Sequence, residues 1–141
     1  MTYPTESQQL LLRYALRANA AFSGCAACIM LVGNRPLKDF LGLPPRDNSL
    51  FILPAVLATF AFWLLLNARR SQIRIGEARI AVYLDLAWVA LSVPAVLSTG
   101  LTSGGKWIVS VVGEIVLVFA IAQWQGIRKI VRASGTDARD A

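Results

Sequence analysis

Apolar residues in this chain are gathered into four blocks of about twenty, at 14–32, 49–67, 80–99 and 107–125, with charge, proline and glycine concentrated between them. No block shows the strict alternation of a half-buried strand. Each is long enough for one crossing of a bilayer core, which takes roughly 20 apolar residues at about 1.5 Å of rise each. The pattern predicts an all-α integral membrane four-helix bundle. It forms one domain over residues 1–133, followed by a small, polar tail at 134–141 that is expected to be disordered.

Local signals set the boundaries. The first span stops at Gly33-Asn34-Arg35-Pro36, where a glycine cap and a proline end a helix. Within it Ala20, Gly24 and Cys28 recur every four residues, a small-residue spacing that lets a neighbouring helix approach and predicts a face packed inside the bundle. In the connection that follows, Leu37, Phe40 and Leu41 fall on one side of two helical turns. They predict a short interfacial helix between spans one and two, closed by Gly42 and Pro44-Pro45. Span two carries Pro54 in its first turns and Trp63 near its end, as interface anchor or packing residue, and stops at Arg69-Arg70. Span three contains Asp85 and Pro94, the latter an expected kink. Span four contains Glu114, with Trp107 and Trp124 near its ends as an expected pair of interface anchors.

Composition agrees with this reading and narrows the function. Of 141 residues, 56% are hydrophobic, and the mean hydropathy is +0.57. Four spans leave only short connections and no room for a soluble domain, so any function lies within the bundle or on its surface. The net charge is +6 and the pI about 10.0, but the basic residues flank apolar blocks instead of forming a basic domain, which argues against nucleic acid. They act as topology signals. Ten Lys and Arg, from Arg13 and Arg17 through Arg69, Arg70, Arg74 and Arg79 to the C-terminal group, lie on one side, against Arg35, Lys38, Arg46 and Lys106 on the other. The excess predicts that both termini are cytoplasmic. Phe22-Ser23-Gly24-Cys25 looks like a lipoprotein cleavage box, yet too few residues separate Arg17 from Cys25 to form a signal-peptide core. The absence of histidine removes the usual haem ligand, His-based triads and the HExxH zinc motif. No catalytic residue, metal or cofactor is expected.

Charges inside spans carry the candidate chemistry, because each costs at least about 2.5–3.5 kcal/mol at the bilayer centre. Spans one and three both leave the cytoplasmic side, which puts Arg17 and Asp85 at similar depth. They are expected to form a buried ion pair with Asn19 completing its hydrogen bonds. Glu114 lies near mid-bilayer without a basic partner at its depth. It is read either as a structural acid bonded to a carbonyl or to Ser92, Ser23 or Ser110, or as a candidate proton or cation site. Cys25 and Cys28 form a CxxC, but inside a span, where low dielectric disfavours the reactive thiolate.

Three segments, Arg17-Ala-Asn-Ala-Ala-Phe-Ser-Gly24, Pro36-Leu-Lys-Asp-Phe-Leu-Gly-Leu-Pro44 and Leu84-Asp-Leu-Ala-Trp-Val89, resemble a group of small bacterial four-span inner-membrane proteins of unassigned function. The resemblance implies a topology and a location but no activity. Small multidrug transporters have a similar length, but they carry an essential glutamate in the first span, where this chain has Arg17. The residues therefore support three functional expectations. The first is a non-enzymatic membrane protein, an accessory subunit of a larger complex or a small homo-oligomer, whose partners are the lipid bilayer and another membrane protein or a second copy. The second is a proton-coupled transporter or channel using Glu114. The third is a thiol redox protein using Cys25 and Cys28.

Overall fold

A computed structural model describes the backbone of residues 6–136 and the side chains of residues 9–132. The described residues are all-helical, with no strand: α1 (Glu6–Val32), α2 (Asn34–Leu41), α3 (Ser49–Arg69), α4 (Ile75–Leu97) and α5 (Ser103–Thr136). Four of these helices, α1, α3, α4 and α5, are long and apolar enough to cross a membrane. Most overrun the apolar blocks, because Arg, Lys, Gln and Glu are good helix formers and do not end a helix where hydrophobicity ends. Helix α5 continues through Thr136, so the first residues of the tail expected to be disordered are helical. Residues 137–141 of that tail lie outside the described residues.

Backbone groups freed by proline and by helix ends find specific partners. Pro54 has no N–H, which leaves the Leu50 carbonyl without its helical donor. Asn34, at the start of α2, supplies one through Nδ2 at 3.0 Å. Helix α2 closes at Gly42, whose φ of 79° lies in the left-handed region, a conformation that a side chain would strain. Thr102 then ties α2 to α5. Its amide and hydroxyl donate to the carbonyls of Leu41 and Phe40, and its Oγ1 accepts the Gly105 N–H at 3.0 Å, capping α5. Helix α4 runs unbroken through Pro94.

The tertiary arrangement centres on α1, which packs against α3 and α5, while α4 packs on α5. The consecutive helices α3 and α4 scarcely meet. Helices α1 and α5 approach closely at Gly126, where an added Cβ would stand 2.8 Å from Leu12 Cβ and 2.9 Å from its Cα. The core gathers at the same end of the molecule, from Leu12 and Leu16 of α1, Leu64 and Ala68 of α3, Ala78, Ala81 and Val82 of α4, and Ile127 and Ile130 of α5.

A polar clasp holds that end. Arg13 Nη1 donates to the carbonyls of Ala68 at 2.8 Å and Arg70 at 2.9 Å, and Nη2 to that of Ser71 at 3.2 Å. Asn67 closes the α3–α4 turn by exchanging bonds with the backbone of Arg74. Gln9 Oε1 accepts the Ile73 N–H at 3.1 Å. The turn is thereby pinned to α1, and with that end fixed α3 and α4 are free to diverge toward the other.

Candidate functional site

Asp85 stands near the middle of α4 and is 3% exposed. Two neutral amides meet it on one oxygen: Asn19 Nδ2 of α1 donates to Oδ2 at 2.7 Å, and Gln123 Nε2 of α5 donates to the same atom at 2.8 Å. Asn19 is oriented in turn, because Ser23 Oγ, one turn along α1, donates to its Oδ1 at 3.3 Å. Gln123 is wholly buried, and its Oε1 has no hydrogen-bond partner among the described residues. Three helices therefore converge on one carboxyl group through side-chain hydrogen bonds.

Asp85 also lines a cavity of about 810 Å³. Helices α3 and α4 form the walls and α1 and α5 the floor, so the cavity occupies the gap that the divergence of α3 and α4 opens. Apart from Asp85, the lining residues that carry polar atoms are Ser23, Thr59, Trp63 and Trp88, and no Lys or Arg lines it among the described residues. Thr59 Oγ1 is already bonded to the Ala55 carbonyl at 2.8 Å. At the rim, Val56 and Leu91 are 57% and 69% exposed, so the cavity opens sideways between α3 and α4. Its volume lies within the roughly 300–1,000 Å³ of small-molecule sites, which combine an apolar lining with few polar groups.

The ion pair expected between Arg17 and Asp85 does not form. Arg17 is exposed and Asp85 buried, and the ion pairs among the described residues join Arg70 and Arg74 to Glu77 at the α3–α4 turn. The reason is angular. At about 100° per residue, Arg17 lies roughly 200° around α1 from Asn19, and Asn19 takes the inward place. Matching depth brought the right helices together, but the side chain that reaches Asp85 is an amide.

The expected packing stripe on α1 is only partly buried, for a related reason. Ala20 is buried, and a Cβ at Gly24 would sit 3.9 Å from Ala61 of α3, but Cys28 is exposed. A four-residue repeat drifts by about 40° per step on a straight helix, so by Cys28 the stripe has turned away from α3. Cys25 is exposed as well, and neither cysteine lines the cavity.

Glu114 is exposed on α5 and lines a separate cavity of about 240 Å³ between α4 and α5, together with Ser92 and Ser110. Of the hydroxyls considered as its partners, Ser92 donates instead to the Trp88 carbonyl at 2.9 Å, and Ser23 to Asn19. Trp63 is half-buried against the core and lines the large cavity, whereas Trp107 and Trp124 are exposed toward opposite ends of the apolar part of α5. Among the described residues no three His, Cys, Asp or Glu side chains come together to hold a metal ion.

Two contributors escaped the sequence. Gln123 sits where the apolar block gives way to polar residues and reads as an end-of-span polar group, and Arg13 reads as a topology charge. Gln123 shares a helical face with Val116 and Ala120, seven and three residues before it and both buried, but their burial is seen only in the structure. No family model matches this chain, and neither a curated protein nor a solved structure matches it.

Proposed function

We propose that this chain is a multi-pass protein of the bacterial inner membrane, a four-helix bundle with both termini cytoplasmic, that binds a small lipophilic molecule between α3 and α4 without transforming it. The ten-to-four bias of Lys and Arg supports the orientation. In this arrangement α2 lies in the outer interface, with the half-exposed Phe40 ring against Gly104 and buried Leu41 against Gly105 at the start of α5. The observation that carries the binding role is the 810 Å³ apolar cavity with one buried carboxyl group, that of Asp85, in its α4 wall.

Saturable binding of a neutral probe, N-butyl dansylamide, to purified protein in micelles tests that role. Trp63 and Trp88 line the cavity, so an occupant accepts energy from them and its emission shifts to the blue. Filling the cavity with Ala26→Phe or Ala55→Phe is expected to abolish the saturable component while leaving the helical circular dichroism unchanged. Binding equal to that of protein-free micelles refutes the role. A second reading, association with a membrane partner or a second copy, draws support from Glu114, an exposed carboxyl at a depth where lipid is a poor neighbour. Migration as a lone small species in blue-native gels, directly from native membranes, would overturn it.

A further inference from the structure

Granted the binding role proposed above, we propose that the molecule held between α3 and α4 is a lipophilic cation, an amine or quaternary ammonium on an apolar body, with its charged head against Asp85. The first argument is charge balance. An ionised carboxylate only accepts hydrogen bonds, and two amide N–H groups converging on Oδ2 suit an acceptor. Amides bring no charge, however, and a buried carboxyl group stays ionised only when a cation pairs with it, and otherwise takes up a proton. Among the described residues no cation pairs with Asp85: Arg70 and Arg74 engage Glu77, and Arg17 faces outward. The side on which a countercharge fits is the cavity.

The second argument is the lining. Phe60, Trp63 and Trp88 present rings to the same space, with Phe60 and Trp63 stacked at a tilt 6.1 Å apart. Aromatic faces attract ammonium groups, more strongly when these are desolvated. With no Lys or Arg in the lining, an anionic amphiphile such as a fatty acid finds only repulsion from Asp85. A neutral molecule fits the apolar walls but leaves the carboxylate unpaired. The third argument is access: the rim between α3 and α4 carries exposed Val56, Ile80 and Leu91, so a molecule dissolved in the bilayer reaches Asp85 without crossing water.

Three dansyl probes of similar size and opposite charge test this: dansylcadaverine as the cation, N-butyl dansylamide as the neutral form and dansyl-6-aminohexanoate as the anion. In wild-type protein the cation is expected to bind at least about tenfold more tightly than the neutral probe, and the anion not to bind, given the strength of charge interactions at low dielectric. In Asp85→Asn the preference of cation over neutral probe is expected to fall to within about twofold. Equal saturable binding of cation and neutral probe in the wild type overturns this inference, leaves the binding role standing, and points to a lipid-like occupant. Failure of every probe to bind saturably overturns both, as it would if a helix of a second copy filled the groove. A cation preference that survives Asp85→Asn overturns the assignment to Asp85. Should that variant not fold, the wild-type charge series decides alone.

Discussion

The α1–α5 crossing at Gly126 offers a test in which one substitution, placed at two sites, is expected to act with opposite signs. Glycine to alanine in a helix interior gains up to about 1 kcal/mol in propensity. At Gly126 the new methyl would stand 2.8 Å from Leu12 Cβ, 2.9 Å from its Cα and 3.0 Å from its N. Carbon atoms prefer about 3.5–4.0 Å, so the two backbones must part by roughly half an ångström or more. Backbone cannot rotate away as a side chain can. Overpacking of this kind costs about 1–3 kcal/mol, and parting the helices also loosens the contacts of Leu12 and Ile127, both in the core. The net expectation for Gly126→Ala is a loss of about 1–2 kcal/mol. Nothing lies within 4 Å of a Cβ at Gly76, so Gly76→Ala is expected to be neutral or to gain up to about 1 kcal/mol. Titration of micelle-solubilised protein with dodecyl sulfate, followed by circular dichroism, reads both variants against the wild type. If Gly126→Ala proves as stable as Gly76→Ala, the helices do not cross at Gly126 and the packing described here is wrong.

Other perturbations probe the clasp, the polar junction and the loops in the same assay. Arg13→Met removes the donor to three carbonyls of the α3–α4 turn and is expected to cost about 2–3 kcal/mol, whereas Arg17→Met, at an exposed site, is expected to change stability by less than about 0.5 kcal/mol; equal effects would refute the clasp. Asn19→Ala and Gln123→Ala each strip one donor from Asp85 and are expected to cost about 1–3 kcal/mol apiece. Because both act on one oxygen, a double-mutant cycle should show coupling, and strict additivity would argue against the shared acceptor. Gly42→Ala forces a side chain into the left-handed region and is expected to cost about 1–2 kcal/mol. In the α2–α3 loop, Ser49 lowers the Asp47 pKa through its side chain and its backbone N–H, the latter 2.7 Å from Oδ1. The contribution of Asp47 is therefore present above the ordinary aspartate value of about 4 and is lost as pH falls through its lower folded value. The acid-side change in stability should flatten in Asp47→Asn, and an unchanged profile would show that Asp47 does not contribute.

The number of long helices and their order were legible, because a helix that crosses lipid must satisfy its backbone internally over a length fixed by the bilayer. What was legible less well is rotation. Ala20, Gly24 and Cys28 mark a stripe by spacing alone, and spacing does not register the drift that carries Cys28 outward. Arg17 and Asp85 share a depth, which topology supplies, but which residue of Arg17, Ala18 and Asn19 points inward depends on how α1 is turned against its neighbours. In a membrane helix that is hard to read, since lipid and packed protein both select apolar residues and the inward face carries no hydrophobic signature. The divergence of α3 and α4 had no local marker at all. It follows from long-range packing, with α3 held to α1 and α4 to α5, and no sequence window contains both partners.

Asp85 stands at the boundary between two regimes of packing, and that position gives it a meaning Glu114 lacks. Toward the α3–α4 turn the helices close on a core of Leu, Ala, Ile and Val; in the other direction α3 and α4 separate around the cavity. A carboxyl group inside the closed half would be sealed from any partner outside the chain. Glu114 is instead exposed on α5, at the small cavity between α4 and α5, and shows no hydrogen bond to another helix among the described residues. At the boundary, the amides of Asn19 and Gln123 hold Oδ2 in place on a residue that also lines the cavity. The cost of desolvating and orienting it is met during folding, so a positively charged occupant finds a carboxylate that needs no rearrangement. Such preorganisation raises affinity chiefly by lowering the cost of binding. It also makes Asn19 and Gln123 positioning residues: replacing either with an apolar side chain should weaken the cationic probe more than the neutral one, although neither amide lines the cavity.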